Sequence, residues 1–307
     1  MNIIVPITIV DSAIKAGTSI AEPATGETAW VSSGTYVVGD LRIRATTHRV
    51  YACVQGHTGR AALPEVDSAF WLDKSPTQRY APFDIYTTTA VNTTGSITYV
   101  LQVGFFNALS FYGLVGGSLV ATIRAAPGGA VLYTSTTELF SQAPGIYELL
   151  FTNTAQIARV VLRDLPISPT AELTVVVNGG TGIPVGLGML NIGDYRQLVG
   201  QSALGGTQYG ASADPKSYSY IKFNEDGTSV IKRRGSSTDM RGTVLLDVVE
   251  ASSAVDLVQR VLDIPVSCIA TDERGYDYLN VFGLISGSMV ATGPAHAEFS
   301  FQVKGFI

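Results

Sequence analysis

The sequence predicts a mainly β, multi-domain protein: a small aromatic β module, a jelly-roll-like β-sandwich, and an open β-barrel with one α-helix. Three observations predict it. The 307 residues include 32 glycines, and Thr, Val and Tyr are abundant, a composition that suits strands joined by tight turns. Short apolar runs recur with turn signals between them and no helical period. One segment alone, SSAVDLVQRVLDIP, has convincing helix spacing. The length suits two or three domains.

The opening MNIIVPITIV is apolar but short, has no basic start, and is interrupted by Asp11. It is expected to be a strand, neither a signal peptide nor a membrane span. An apolar terminal strand must pack against something, and a neighbouring subunit is one such surface. Residues 11–29 are small and polar, without a sustained period, and too numerous for an ordinary loop. Residues 1–29 therefore form a strand and an arm.

Residues 30–81 form the small module. Gly39-Asp40 marks a turn before LRIRA, and Thr46-Thr47-His48 marks a turn before RVYACVQ. Both tryptophans of the chain, Trp30 and Trp71, belong to this unit, together with Tyr36 and Tyr51. Two readings of these four rings stay open. They would stack on the apolar faces of sugars, or they would supply the core of a unit barely large enough to bury one.

Residues 82–190 change character. SITYVLQV, ALSFYGL, SLVATIRA, AVLYTST, IYELLFT, ARVVLRDL and ELTVVVNG follow one another, separated by Gly116-Gly117, Pro127-Gly128-Gly129 and Gly179-Gly180. Alternation in LTVVVNG gives one buried and one open face. This is an antiparallel sandwich. Residues 191–216, rich in glycine and serine, are expected to be a linker. In residues 217–307, Asp226-Gly227 between two β-runs predicts a hairpin. The helix is expected over 252–264, capped by Ser252 or Ser253 and stopped by Pro265, with Val255, Leu257, Val258, Val261 and Leu262 as its apolar face. Strands on both sides of it complete the barrel.

The net charge of −5 disfavours general nucleic-acid binding. Only 15% of residues are charged, against roughly 25% in an average soluble domain. Some surface is therefore covered by another molecule or made polar by Ser, Thr and Gly. Cys53 and Cys268 are expected to be separate buried thiols. Three histidines without a Cys/His cluster give no metal site. No P-loop, HExxH or GxSxG occurs, and no GxGxxG joins a strand to a helix. No enzyme and no cofactor are expected. Asp272, Glu273 and Asp277 match no calcium-loop spacing and are expected to be solvated at a hairpin tip. His48, His57 and His296 have no nucleophile partner in sequence. Lys232-Arg233-Arg234 is expected to be a charged edge that discourages unwanted pairing.

Several segments together resemble tail proteins of long-tailed bacteriophages and related prophages. They are PITIVDSAI with SIAEP, GTYVVGDLRIRATTHRVYACVQGHTG with Trp71 and DKSPTQRYAPFD, and GTQYGASADPKSYS ahead of the helix-bearing tail. The likeness spans nearly the whole chain. Separately, Trp30, Tyr36, Gly39-Asp40, Val50-Tyr51 and Trp71 resemble the small modules of chitinase-type carbohydrate-binding domains. The last hundred residues resemble, in element order alone, the tail-tube and distal-tail barrels.

The resemblance implies a structural protein of the virion tail, made in the bacterial cytoplasm and placed at the distal tail or baseplate. Its partners would be other copies in a ring and the tail-tube, hub and fibre proteins. The alternative is an adhesin that binds a host-surface glycan, with either the sandwich or the small module as receptor site, in the module through Trp30, Tyr36, Tyr51 and Trp71.

Overall fold

The computed structural model describes residues 1–86, 88–140, 145–147, 156–198, 206–271 and 275–306. The chain is mainly β, built from several sheets, with one curled into a half-barrel. That large sheet has ten strands. Its order is Arg159–Leu162, Ala108–Tyr112, Met189–Gln197, Asn2–Pro6, Val266–Ile269, Asn280–Ala291, His296–Gly305, Ser236–Asp247; Gly206–Thr207 and Ser212–Ser217 both pair with the last strand. Every ladder in it is antiparallel.

Residues 191–216 are therefore not a plain linker. Met189–Gln197 is a strand paired with Ala108–Tyr112 on one side and with Asn2–Pro6 on the other. Its neighbours supply the hydrogen bonds that its Asn, Gly and Asp residues do not advertise. Gly193 is required there: a Cβ would lie 1.9 Å from the Val5 carbonyl oxygen. Residues 199–205 of that segment lie outside the described residues.

The N-terminal strand forms as expected, Asn2–Pro6, and its partners lie in its own chain. It pairs with Val266–Ile269 of its own chain as well as with Met189–Gln197. Ile3 and Ile4 are fully buried, on opposite faces of the sheet and in different hydrophobic clusters.

A four-stranded sheet, Val131–Glu138, Ser118–Arg124, Glu172–Asn178 and Ser96–Leu101, packs on one end of the large sheet. Leu173, Val175 and Val177 alternate inward as the sequence predicts. They meet Leu109, Phe111, Leu190 and Ile192 from the large sheet in one core. Ala108–Tyr112 is buried along its whole length because both its faces are covered. Its other face carries Ser110 and Tyr112. The Ser110 and Ser267 hydroxyl oxygens are 2.6 Å apart, and Tyr112 donates to Asn280 Oδ1 at 2.9 Å. Burial pushes the Tyr112 hydroxyl up to about 12, so it remains a donor.

The arm lies along Ser96–Leu101, an edge of the four-stranded sheet. Lys15 and Ser19 donate backbone N–H groups to Val100 and Thr98, and Gln102 donates to Ala13. An edge that would otherwise offer unpaired backbone groups is thereby covered.

The helix spans Val248–Arg260, starting four residues before the predicted boundary, with Asp247 at its N-cap position. Ala254 and Val258 are buried against the curled sheet, and Val261 just beyond the helix is buried too. Leu262, expected on the apolar face, is exposed. Cys53 and Cys268 are free, buried thiols in separate cores, as expected. The predicted strand IYELLFT falls largely outside the described residues.

Candidate functional site

Three places carry the residues singled out by sequence: the aromatic module, the joint that holds it, and a hairpin in the C-terminal third.

The module is a three-stranded sheet, Leu41–Arg44, Arg49–Cys53 and Trp71–Pro76, with the small ladder Thr35–Tyr36/His57–Thr58 beside it. Trp30, Tyr36, Tyr51 and Trp71 are brought together, and all four are buried, with Trp71 2% exposed. Tyr36 meets Trp71 edge-on at 5.0 Å, and His57 packs at 5.3 to 5.5 Å against Tyr36, Phe70 and Trp71. The Tyr36 hydroxyl donates to the Val31 carbonyl and accepts from the Val31 N–H, both at 2.8 Å.

Arginines cover this cluster. The Arg42 guanidinium lies 5.1 Å from the Tyr36 ring centre, Arg44 lies 5.3 Å from Trp30, and Arg60 lies 3.8 Å from Phe70. Carboxylates hold each in place: Asp40 pairs with Arg42, Glu65 with Arg44, and Asp67 with Arg60. The four rings are the core of the unit rather than an open platform. The sugar-stacking reading needs flat exposed faces, and the faces of these rings are occupied.

The joint was not legible as a cluster in sequence. Glu22, with a side chain 6% exposed, places Oε2 2.8 Å from His48 Nδ1 and accepts at Oε1 from Thr77 Oγ1 at 2.7 Å. His48 has φ of 55°, the left-handed region that a turn demands. Its ring stacks on Tyr80 at 3.8 Å, and the Tyr80 hydroxyl donates to Asp11 at 2.9 Å. Burial, then the Asp11 contact, raises the Tyr80 hydroxyl well above its ordinary range, so it stays protonated. Glu27 accepts from the backbone N–H groups of Gln78 and Ala24, both at 2.8 Å. Arm and module are pinned at one point, and Tyr80 carries the joint into the core of the sandwich.

Glu22→Ala leaves the buried Thr77 hydroxyl unsatisfied and strips the half-buried His48 of its partner, and is expected to cost about 1–3 kcal/mol. Hydrogen exchange in residues 11–29 and 45–50 should quicken in that variant. Unchanged exchange would mean that Glu22 does not anchor the arm.

The hairpin pairs Tyr220–Phe223 with Ser229–Lys232 around Asp226-Gly227, where Gly227 has φ of 80°. Both strands are exposed throughout. Lys232 faces Tyr220 within this hairpin, so the basic run begins on a projecting element.

The remaining candidates stay apart. His296 Nδ1 lies 3.6 Å from Asp247, far in sequence from His48 and His57. Asp277 opens a short 3-10 turn, Asp277–Leu279, while Asp272 and Glu273 lie outside the described residues. No three His, Cys, Asp or Glu side chains converge on a metal position among the described residues. No helix among them is long and apolar enough to cross a membrane.

No protein-family model matches this sequence, and no curated protein is similar to it at a significant level. Among solved structures, one similar chain is a selenomethionine-labelled mutant of chitosan-binding module 1 from a chitosanase/glucanase of Paenibacillus sp. IK-5. Identity is 10%, the TM-score is 0.25, and the match covers 37% of this chain and 82% of that one. A likeness at that level assigns neither a fold nor a ligand.

Proposed function

We propose that the protein is a structural component of a bacteriophage tail, at the distal tail or baseplate. It assembles with copies of itself into a ring and joins the tail tube to tip or fibre proteins. It has no catalytic role, and its working location is the virion.

One observation carries the assembly part of this reading: the hairpin Tyr220–Phe223/Ser229–Lys232. Ile221, Phe223, Val230 and Ile231 are each more than half exposed. A two-stranded ribbon alone in water is marginally stable at best. An apolar ribbon held out from its own chain is what a subunit needs when a neighbour will cover it. The phage assignment itself rests on the sequence resemblance.

The test is the mass of the purified chain by light scattering, with averaged electron micrographs. A ring with a central hole is the expected result. Deleting residues 219–234 should abolish it while leaving the far-ultraviolet β signature. A monomer at every concentration overturns the ring.

A further inference from the structure

We infer that the hairpin of one copy docks in the groove beside the helix of the next copy. This rests on the assembly reading above and names the receiving surface.

The groove, about 740 Å³, lies between the helix Val248–Arg260 and the end of strand Met189–Gln197. Leu198, Leu246 and Leu257 give it an apolar lining. Glu250 and Asp256 line it from the helix, and neither has an ion-pair partner among the described residues. Asp194 and Arg196, also in its wall, pair with each other at 2.7 Å. Arg260 is the one remaining cation of the lining.

The hairpin is the complement. Side chains alternate across a ribbon, so the register puts Ile221, Ile231 and Phe223 on one face. The other face and the strand end carry Lys222, Lys232, Arg233 and Arg234, none with an ion-pair partner among the described residues. Glu225 and Asp226 at the tip leave the hairpin net positive. An apolar ribbon with free cations matches an apolar groove with free acids.

Geometry decides between the same chain and a second one. The hairpin continues the ladder that pairs Ser217 with Ser236, because Tyr218 donates to the Gly235 carbonyl. The groove lies at Leu246, the far end of the same strand Ser236–Asp247. Ten residues of extended strand separate them by about 33 Å, and the hairpin heads the other way. One chain cannot bring its two surfaces together. Two copies joined by one such contact still hold a second hairpin and a second groove, which meet each other or further copies. The contact joins unlike surfaces, and its repetition closes into a ring of two or more copies or runs on as a helix.

The test uses two full-length single variants, Phe223→Cys and Ser253→Cys. Both positions are exposed, and the native thiols are buried. Mixed under mild oxidation, they should give a covalent heterodimer in large excess over either homodimer. Ile231→Asp in the Phe223→Cys chain should reduce that product at least tenfold. An oligomer by light scattering with no Phe223→Cys/Ser253→Cys product overturns the groove and leaves the assembly reading standing. A monomer with no product overturns both.

Discussion

Replacing Trp71 with alanine should unfold the small module and leave the sandwich and curled sheet intact. Trp71 is 2% exposed and touches Tyr36 and His57. Truncating a buried tryptophan costs about 3–5 kcal/mol through lost contacts and the cavity left behind. The module's core has few other large side chains, namely Trp30, Tyr36, Tyr51 and the partly buried Phe70. A unit this small has little stability in reserve. The readout is local, because Trp30 becomes the one tryptophan of the variant. Its emission should shift to the red, while the main thermal transition of the rest of the chain stays in place. The opposite result would be a blue-shifted, folded module that has lost oligosaccharide binding. That would make Trp71 a ligand platform and overturn its assignment to the core.

The second large effect is expected at Gly193. Its Cβ would sit 1.9 Å from the Val5 oxygen and 2.7 Å from the Val5 carbonyl carbon. Neither atom belongs to a flexible side chain. The strand has neighbours on both sides, so it cannot slide away without breaking a ladder. Gly193→Ala should therefore cost about 4 kcal/mol or more, the exceptional end of single-substitution effects. Gly283 is a parallel case, with a Cβ 2.1 Å from the Lys304 oxygen. Both glycines let neighbouring strands approach closely. Gly293→Ala is the control, since nothing lies within 4 Å of its Cβ. Urea midpoints on the three variants provide the measurement. A Gly193→Ala protein within about 0.5 kcal/mol of the unmodified chain would mean that the close approach is not a feature of the fold.

What could be read from the sequence follows local physics. The Asp226-Gly227 hairpin is where turn chemistry puts it. The alternation in Glu172–Asn178 marks an inward face that is indeed buried. In the module, strand Leu41–Arg44 falls between the turns predicted at Gly39-Asp40 and Thr46-Thr47-His48, and Arg49–Cys53 follows the second turn. Long-range pairing decided the rest. Strand Met189–Gln197 contains Asn, Gly and Asp, which depress strand propensity, and its neighbours in the sheet override that preference. The helix start was displaced because Val248 and Val249 look like a continuing strand until Ala254 and Val258 find the sheet. The joint around Glu22 draws on residues from Asp11 to Tyr80, which no spacing rule connects. Rings in the module signalled either a core or a platform, and burial alone separates those two.

The placement of strand Asn2–Pro6 has a consequence for synthesis. Asn2 pairs with Ile269, and Ile3 with Arg196. Strand Asn2–Pro6 leaves the ribosome long before its partners Met189–Gln197 and Val266–Ile269 are made. The sandwich can condense earlier around its own four-stranded sheet, but the large sheet cannot close until Val266–Ile269 and the strands that follow it have emerged. Such distant pairing slows folding and leaves apolar strands uncovered during the wait. A nascent chain stalled before residue 266 should therefore hold its first strand unpaired on that side and bind a chaperone. Extension past residue 305 should then bring Asn2–Pro6 and its late partners together in a single step.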